Sequence, residues 1–208
     1  MTERTVSVSA QGRASAAPDR ASISTGVQTE ADTAREAMSR NTAAMTKLID
    51  GLKALGIAPK DIQTTAIQVN PRYTSPRDGK PPVVNGYMAL NQVRITVTDI
   101  KKIGEVLDGA LTLGANQMGG IAFEVSTAET LKDEARKAAM INARRRAELY
   151  AAAAGVTLGP VLTIAEDVRM ADPGLYQGRA RAMSASAVPV EAGAIDLEAT
   201  VHVTWALK

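Results

Sequence analysis

Thirteen residues near the C-terminus, Ile195 to Leu207, place Ile195, Leu197, Ala199, Val201, Val203, Trp205 and Leu207 at every second position with mainly polar neighbours between them. Side chains on a β-strand point to alternate faces, so this pattern reads as a long half-buried strand and not as a helix. The chain must therefore build a sheet with one apolar face and supply elements to cover it.

Further strands follow from the same test. Val6, Val8 and Ala10 alternate with Thr5, Ser7 and Ser9, and after Pro18-Asp19 the residues Ala21, Ile23, Thr25 and Val27 alternate again. The two are expected to form a hairpin. Residues 61 to 69 are rich in β-branched types, and Tyr87, Ala89, Asn91, Val93, Ile95 and Val97 share one face of a long strand. Between these two, Asn70-Pro71 and the Pro-rich run from Ser75 to Asn85 read as a long turn. Ile121, Phe123 and Val125 give a short strand, and residues 157 to 165 another.

Three segments change to a helical period. Ala34, Met38, Met45, Leu48, Leu52 and Leu55 form one stripe, with Thr33 and Glu36 as a capping box and Gly56 as the stop. A shorter helix opens at Asp99 and ends at Gly114. The longest runs from about Thr127 to Ala154, with Ser126 and Glu129 as a second capping box and Gly155 as the stop. Its stripe is Ala135, Ala139, Ala143, Ala147, Ala151 and Ala154, small enough to let a backbone approach a sheet closely. Ala54-Leu55-Gly56-Ile57 and Ala153-Ala154-Gly155-Val156 echo each other; duplication or shared helix-termination chemistry would each produce that. The whole reads as a single α+β domain over residues 1–208, a mixed, largely antiparallel sheet with about three helices packed on it. A long irregular loop occupies about 167–194.

Composition removes several chemistries. At 208 residues a compact fold buries roughly 70% of its extended-chain surface and needs no cross-link. Zero Cys excludes thiolate catalysis, disulfides and Cys-bound metals, and the single His202 cannot furnish a multi-imidazole metal site. No cofactor or metal is expected. Six aromatic residues are too few for base-stacking platforms, and 24 basic against 22 acidic residues leave +2, so nucleic acid is not an expected partner. No apolar run is long enough to span a bilayer, although peripheral envelope association stays open.

Candidate sites are correspondingly few. His202 falls on the polar face of the last strand with Glu198, Thr200 and Thr204, away from any assembled base and nucleophile. Gly51 to Gly56 has phosphate-loop glycine spacing, but Ile57-Ala58 stands where Lys and Ser or Thr are needed. Asp133-Glu134 and Glu166-Asp167 read as solvated charge, and Ser184 and Ser186 have no base nearby. Two surfaces remain. Arg144, Arg145 and Arg146 give a basic helix face for an anionic partner, a membrane surface or nucleic acid, or a solvated face paired with Glu148. Met170, Leu175, Tyr176, Arg179, Arg181 and Met183 in the long loop are the residue types that interfaces favour. The terminal strand also needs its edge covered, and a second copy is one way to do that.

Several segments, taken in order, resemble the SIMPL-domain (DUF541) family, which includes bacterial periplasmic and outer-membrane antigens. They are Pro18-Asp19-Arg20-Ala21 with Gly26-Val27, Asn41, Gly56-Ile57 with Lys60-Asp61-Ile62-Gln63-Thr64, and Gly86-Tyr87 with Asn91. Then come Leu107-Asp108, Gly114-Ala115-Asn116-Gln117, Gly120-Ile121-Ala122-Phe123, the alanine stripe, and Ala154-Gly155-Val156-Thr157-Leu158-Gly159. The resemblance implies a non-enzymatic envelope protein that forms homo-oligomers, with a link to oxidative-stress defence and no catalytic residues to carry over. Such proteins begin with a secretory leader, whereas Met1-Thr2-Glu3 leads almost directly into a strand. A trimmed leader and a periplasmic location are expected, with the cytoplasm as the alternative.

Overall fold

A computed structural model describes residues 4–74, 81–170 and 190–208. Among the described residues three α-helices are interspersed with seven strands, and every strand pair is antiparallel. The α+β class and the three helices are as read from the sequence. The strands divide between two sheets, each in its own compact unit.

The first unit holds β1 (Thr5–Ala16), α3 (Ala128–Ala153), β6 (Leu158–Met170) and β7 (Ile195–Leu207), with the sheet ordered β1-β7-β6. The terminal strand has the bounds its alternation indicated. It is not an edge, however, because β1 takes one side and β6 the other. Among the described residues the outer strands of this sheet are β1 and β6. Leu197, Ala199, Val201, Val203 and Trp205 are buried on one face, where Val8 and Ala10 of β1 and Ala139, Ala143 and Ala147 of α3 close over the β1–β7 pair. Side-chain size grows along this face, from Gly12 opposite Ala199 to Val6 opposite Trp205. At the Gly12 end the helix backbone lies against the strand, since a Cβ on Gly12 would stand 2.2 Å from both the Ala135 carbonyl oxygen and the Ala139 amide nitrogen. The alanine stripe therefore does what its size allows, with one exception. Ala154 is exposed, because it caps α3 beyond the last buried turn.

The second unit holds β2 (Arg20–Ala31), α1 (Ala34–Ala54), β3 (Ile62–Tyr73), β4 (Val84–Val97), α2 (Ile103–Thr112) and β5 (Gln117–Glu124), with the sheet ordered β3-β4-β2-β5. Its core joins Ala21, Ile23 and Val27 to Val93, Ile95 and Val97 beneath Met45, Leu48 and Leu52 of α1 and Ile103, Val106 and Leu107 of α2. The Thr33 hydroxyl accepts the Glu36 amide at 3.2 Å, as the capping box requires. A 3₁₀ turn at Ile100–Lys102, capped by Asp99, precedes α2.

Three expectations are not met. The β1–β2 hairpin does not form: Ala16 to Asp19 contains no residue at positive φ, which a tight hairpin turn needs, so the chain leaves one sheet and enters the other. Asn70-Pro71 does not end its strand. β3 continues to Tyr73 because it is an outer strand, where proline's missing N–H is tolerated. The irregular segment also starts later than Asp167, since β6 pairs with β7 as far as Met170 opposite Leu197.

The sequence echo at the helix ends has a counterpart in topology. β2-α1-β3-β4 gives the order β3-β4-β2, and β1, α3, β6 and β7 give β6-β7-β1, so in each the last strand is central and the strand after the helix is outermost. Gly56 (φ +90°) and Gly155 (φ +70°) end the two helices alike. Ile57 and Val156 donate back to Leu52 and Ala151 at 3.1 and 3.0 Å. That termination geometry also occurs after α2, where Ala115 donates to Ala110, so the connectivity is the stronger sign of repetition.

Candidate interaction surfaces

The basic triplet is not one patch. Consecutive helical residues point about 100° apart, and the three arginines of α3 have different partners. Arg144 donates to Glu148 at 2.9 Å, one turn away, and Arg146 donates to the Ser9 carbonyl of β1 at 3.0 Å. Arg145 is the member with no partner among the described residues. Upstream, Arg136 donates from Nε to Glu166 at 2.6 Å and from Nη1 to Asp133 at 2.8 Å, tying α3 to β6. The hydrogen bonds to Glu166 and then Asp133 hold this guanidinium above its ordinary pKa. Lys132 pairs with Glu129. Much of the helix's positive charge is thus matched locally.

Of the loop candidates, Met170 is the last residue of β6; Leu175, Tyr176, Arg179, Arg181 and Met183 lie outside the described residues, as do Ser184 and Ser186. His202 is exposed in β7, opposite Ser9 and Ala165. Around it the open face is polar: Ser7 bonds Thr204 at 2.8 Å, Arg13 bonds Glu198 at 2.8 Å, and Ser15 bonds Asp196. Among the described residues no group of three or more His, Cys, Asp or Glu is placed to hold a metal, and no helix is long and apolar enough to cross a membrane.

Two apolar shelves escaped the sequence reading. In β6, Val161 and Ile164 stand opposite Trp205 and Val203, so they share the helix-covered face of the sheet. The helix covers β1 and β7 and stops short of β6, leaving Ile164 58% exposed, with Val161 and Leu162 also open. In β3, Ile67 and Val69 stand opposite Asn91 and Ala89. There α1 covers β2 and β4, and Ile67 remains 57% exposed. Each outer strand thus carries apolar side chains past the edge of its own helix. The readable sign was a proline within each strand, Pro71 and Pro160, which marks an outer position. A third set, Ile141 and Leu149, lies eight residues apart on the exposed side of α3.

The polar interior is structural. Asn41 is wholly buried and donates to the Val27 and Ala89 carbonyls at 2.7 and 3.1 Å, pinning α1 to two strands. Asn116 donates to the Gln28 carbonyl and accepts its amide at 2.8 and 2.7 Å, so a side-chain amide extends the β5 pairing by one step.

Residues 6–205 match the model of a protein family of unknown function, SIMPL (DUF541). The chain is 36% identical to the 26 kDa periplasmic immunogenic protein of Brucella melitensis, over 98% of this chain and 84% of that one. It is 32% identical to the uncharacterized protein YggE of Escherichia coli K12, over 93% and 79% respectively. A YggE of Edwardsiella ictaluri is 36% identical over 72% of this chain and 62% of its own length. With the motifs in order from the first strand to the last, the chain belongs to the SIMPL (DUF541) family.

Proposed function

We propose that this chain is a non-enzymatic periplasmic protein that associates with copies of itself and acts as a scaffold or binding surface in the bacterial envelope. The observation that carries the reading is the outer strand β6. Among the described residues its outer edge has no strand beside it, and Val161, Leu162 and Ile164 are exposed along it. Exposed apolar edges of this kind favour pairing with another chain. Pro160 and the register shifts at Val161 blunt the first part of the strand, so the stretch from Thr163 onward is the part able to pair. The β3 edge offers a similar stretch, Ala66 to Asn70, between two bulges.

The location rests on the relative named as a periplasmic immunogenic protein. A link to oxidative-stress defence acts through what the assembly holds, because a chain without Cys has no thiol to reduce peroxide. Cross-linking at micromolar concentration tests self-association. The parent chain should give ladders of covalent multimers, and the Val161→Ser, Ile164→Ser double variant should give far fewer. Monomer alone from both would refute the reading.

A further inference from the structure

One cleft, formed within the second unit and separate from both shelves, collects charged side chains of both signs that have no ion-pair partner among the described residues. It is an open depression of about 310 Å³ between the end of α1, the 3₁₀ turn Pro59–Asp61 that leads into β3, the end of β4 and the start of α2. Lys60, Asp61, Asp99 and Lys102 line it. Gly56-Ile57 and Lys60-Asp61, singled out in the sequence, are thereby brought to one side of this cleft, a placement that helix termination does not require.

The described residues contain many local ion pairs, including Arg40–Glu36, Lys53–Asp50 and Arg13–Glu198. Against that background Lys60, Asp61 and Lys102 form no side-chain hydrogen bond or ion pair among the described residues. Among the described residues the Asp99 carboxylate accepts only the Lys101 amide, at 3.1 Å. Beside these groups stand Leu55 and Ala58, apolar lining residues that keep part of their surface open. Two ammonium groups and two carboxylates sum to zero. A simple anion would meet repulsion from the aspartates, and a simple cation from the lysines. A ligand that carries both signs close together and a short apolar body meets neither.

We propose that this cleft binds a free α-amino acid with an aliphatic side chain, its carboxylate toward Lys60 and Lys102, its ammonium toward Asp61 and Asp99, and its side chain on Leu55 and Ala58. The volume is at the lower end for small-molecule sites and suits a ligand of this size.

Amide NMR titrations of the full chain with L-leucine, N-acetyl-L-leucine and L-leucinamide test this. Leucine should shift the amides of Gly56, Thr98 and Lys102 saturably. Each blocked derivative lacks one charge and should bind at least about tenfold more weakly. Lys60→Met and Asp61→Asn, both surface changes, should weaken leucine binding by a similar factor while leaving the circular dichroism spectrum unchanged. Absence of a saturable shift, equal binding by a blocked derivative, or full binding by the two variants would overturn the proposal. None of these readouts depends on the oligomeric state, so they stand apart from the test of self-association.

Discussion

Gly12 of β1 and Ala139 of α3 meet backbone to backbone: a side chain on the glycine would place its Cβ 2.2 Å from the Ala139 nitrogen. Both groups are main chain, so neither can rotate away, and the whole helix would have to lift. Gly12→Ala is expected to destabilise the chain by about 1–3 kcal/mol, and Gly12→Val by more, through overpacking. Urea unfolding followed by Trp205 fluorescence reads this directly, since Trp205 belongs to the same buried layer. An unchanged midpoint for Gly12→Val would refute the contact.

Asn41 is expected to be the costliest polar side chain to lose. Asn41→Leu removes two donors from the Val27 and Ala89 carbonyls and should cost about 1–3 kcal/mol, as buried acceptors left unpaired do. Asn41→Asp should be worse and pH-dependent. Burial against two carbonyl oxygens favours the protonated acid, which raises its folded-state pKa above the unfolded value. Its stability is then greatest below the unfolded pKa and falls as pH rises toward neutrality. Chemical denaturation at a series of pH values checks the sign.

Arg136 joins Asp133 and Glu166 across the surface of the first unit. Its pKa is raised from an already high value, so its charge does not change near neutral pH. Arg136→Gln should lower the thermal midpoint slightly and equally from pH 6 to 9, a window read from that direction of shift. The difference should shrink as salt is added, because exposed pairs are screened. A difference that grows with salt would contradict this account.

Much of the fold was legible because its strands and helices announce themselves locally. The alternation from Ile195 to Leu207 gave that strand its bounds, and Thr33 and Glu36 placed the start of α1. What stayed hidden is long-range. No local rule says that Thr5 will pair with Ala206, so local patterning points to the nearest strand as the hairpin partner of β1. The same gap made β7 look like an edge and concealed the shelves, since exposure of Ile67 or Ile164 depends on how far a helix reaches across a sheet. The arginine triplet shows the converse: Arg144–Glu148 was readable from i,i+4 spacing, whereas Arg146 bonding to Ser9 was not.

Sedimentation velocity of the purified chain from about 1 to 100 µM, a range in which specific protein interfaces are populated, tests the central claim most directly. The account predicts species at multiples of 21.8 kDa that collapse toward the single chain on Ile164→Lys with folding intact. A lone 21.8 kDa species throughout that range would contradict it.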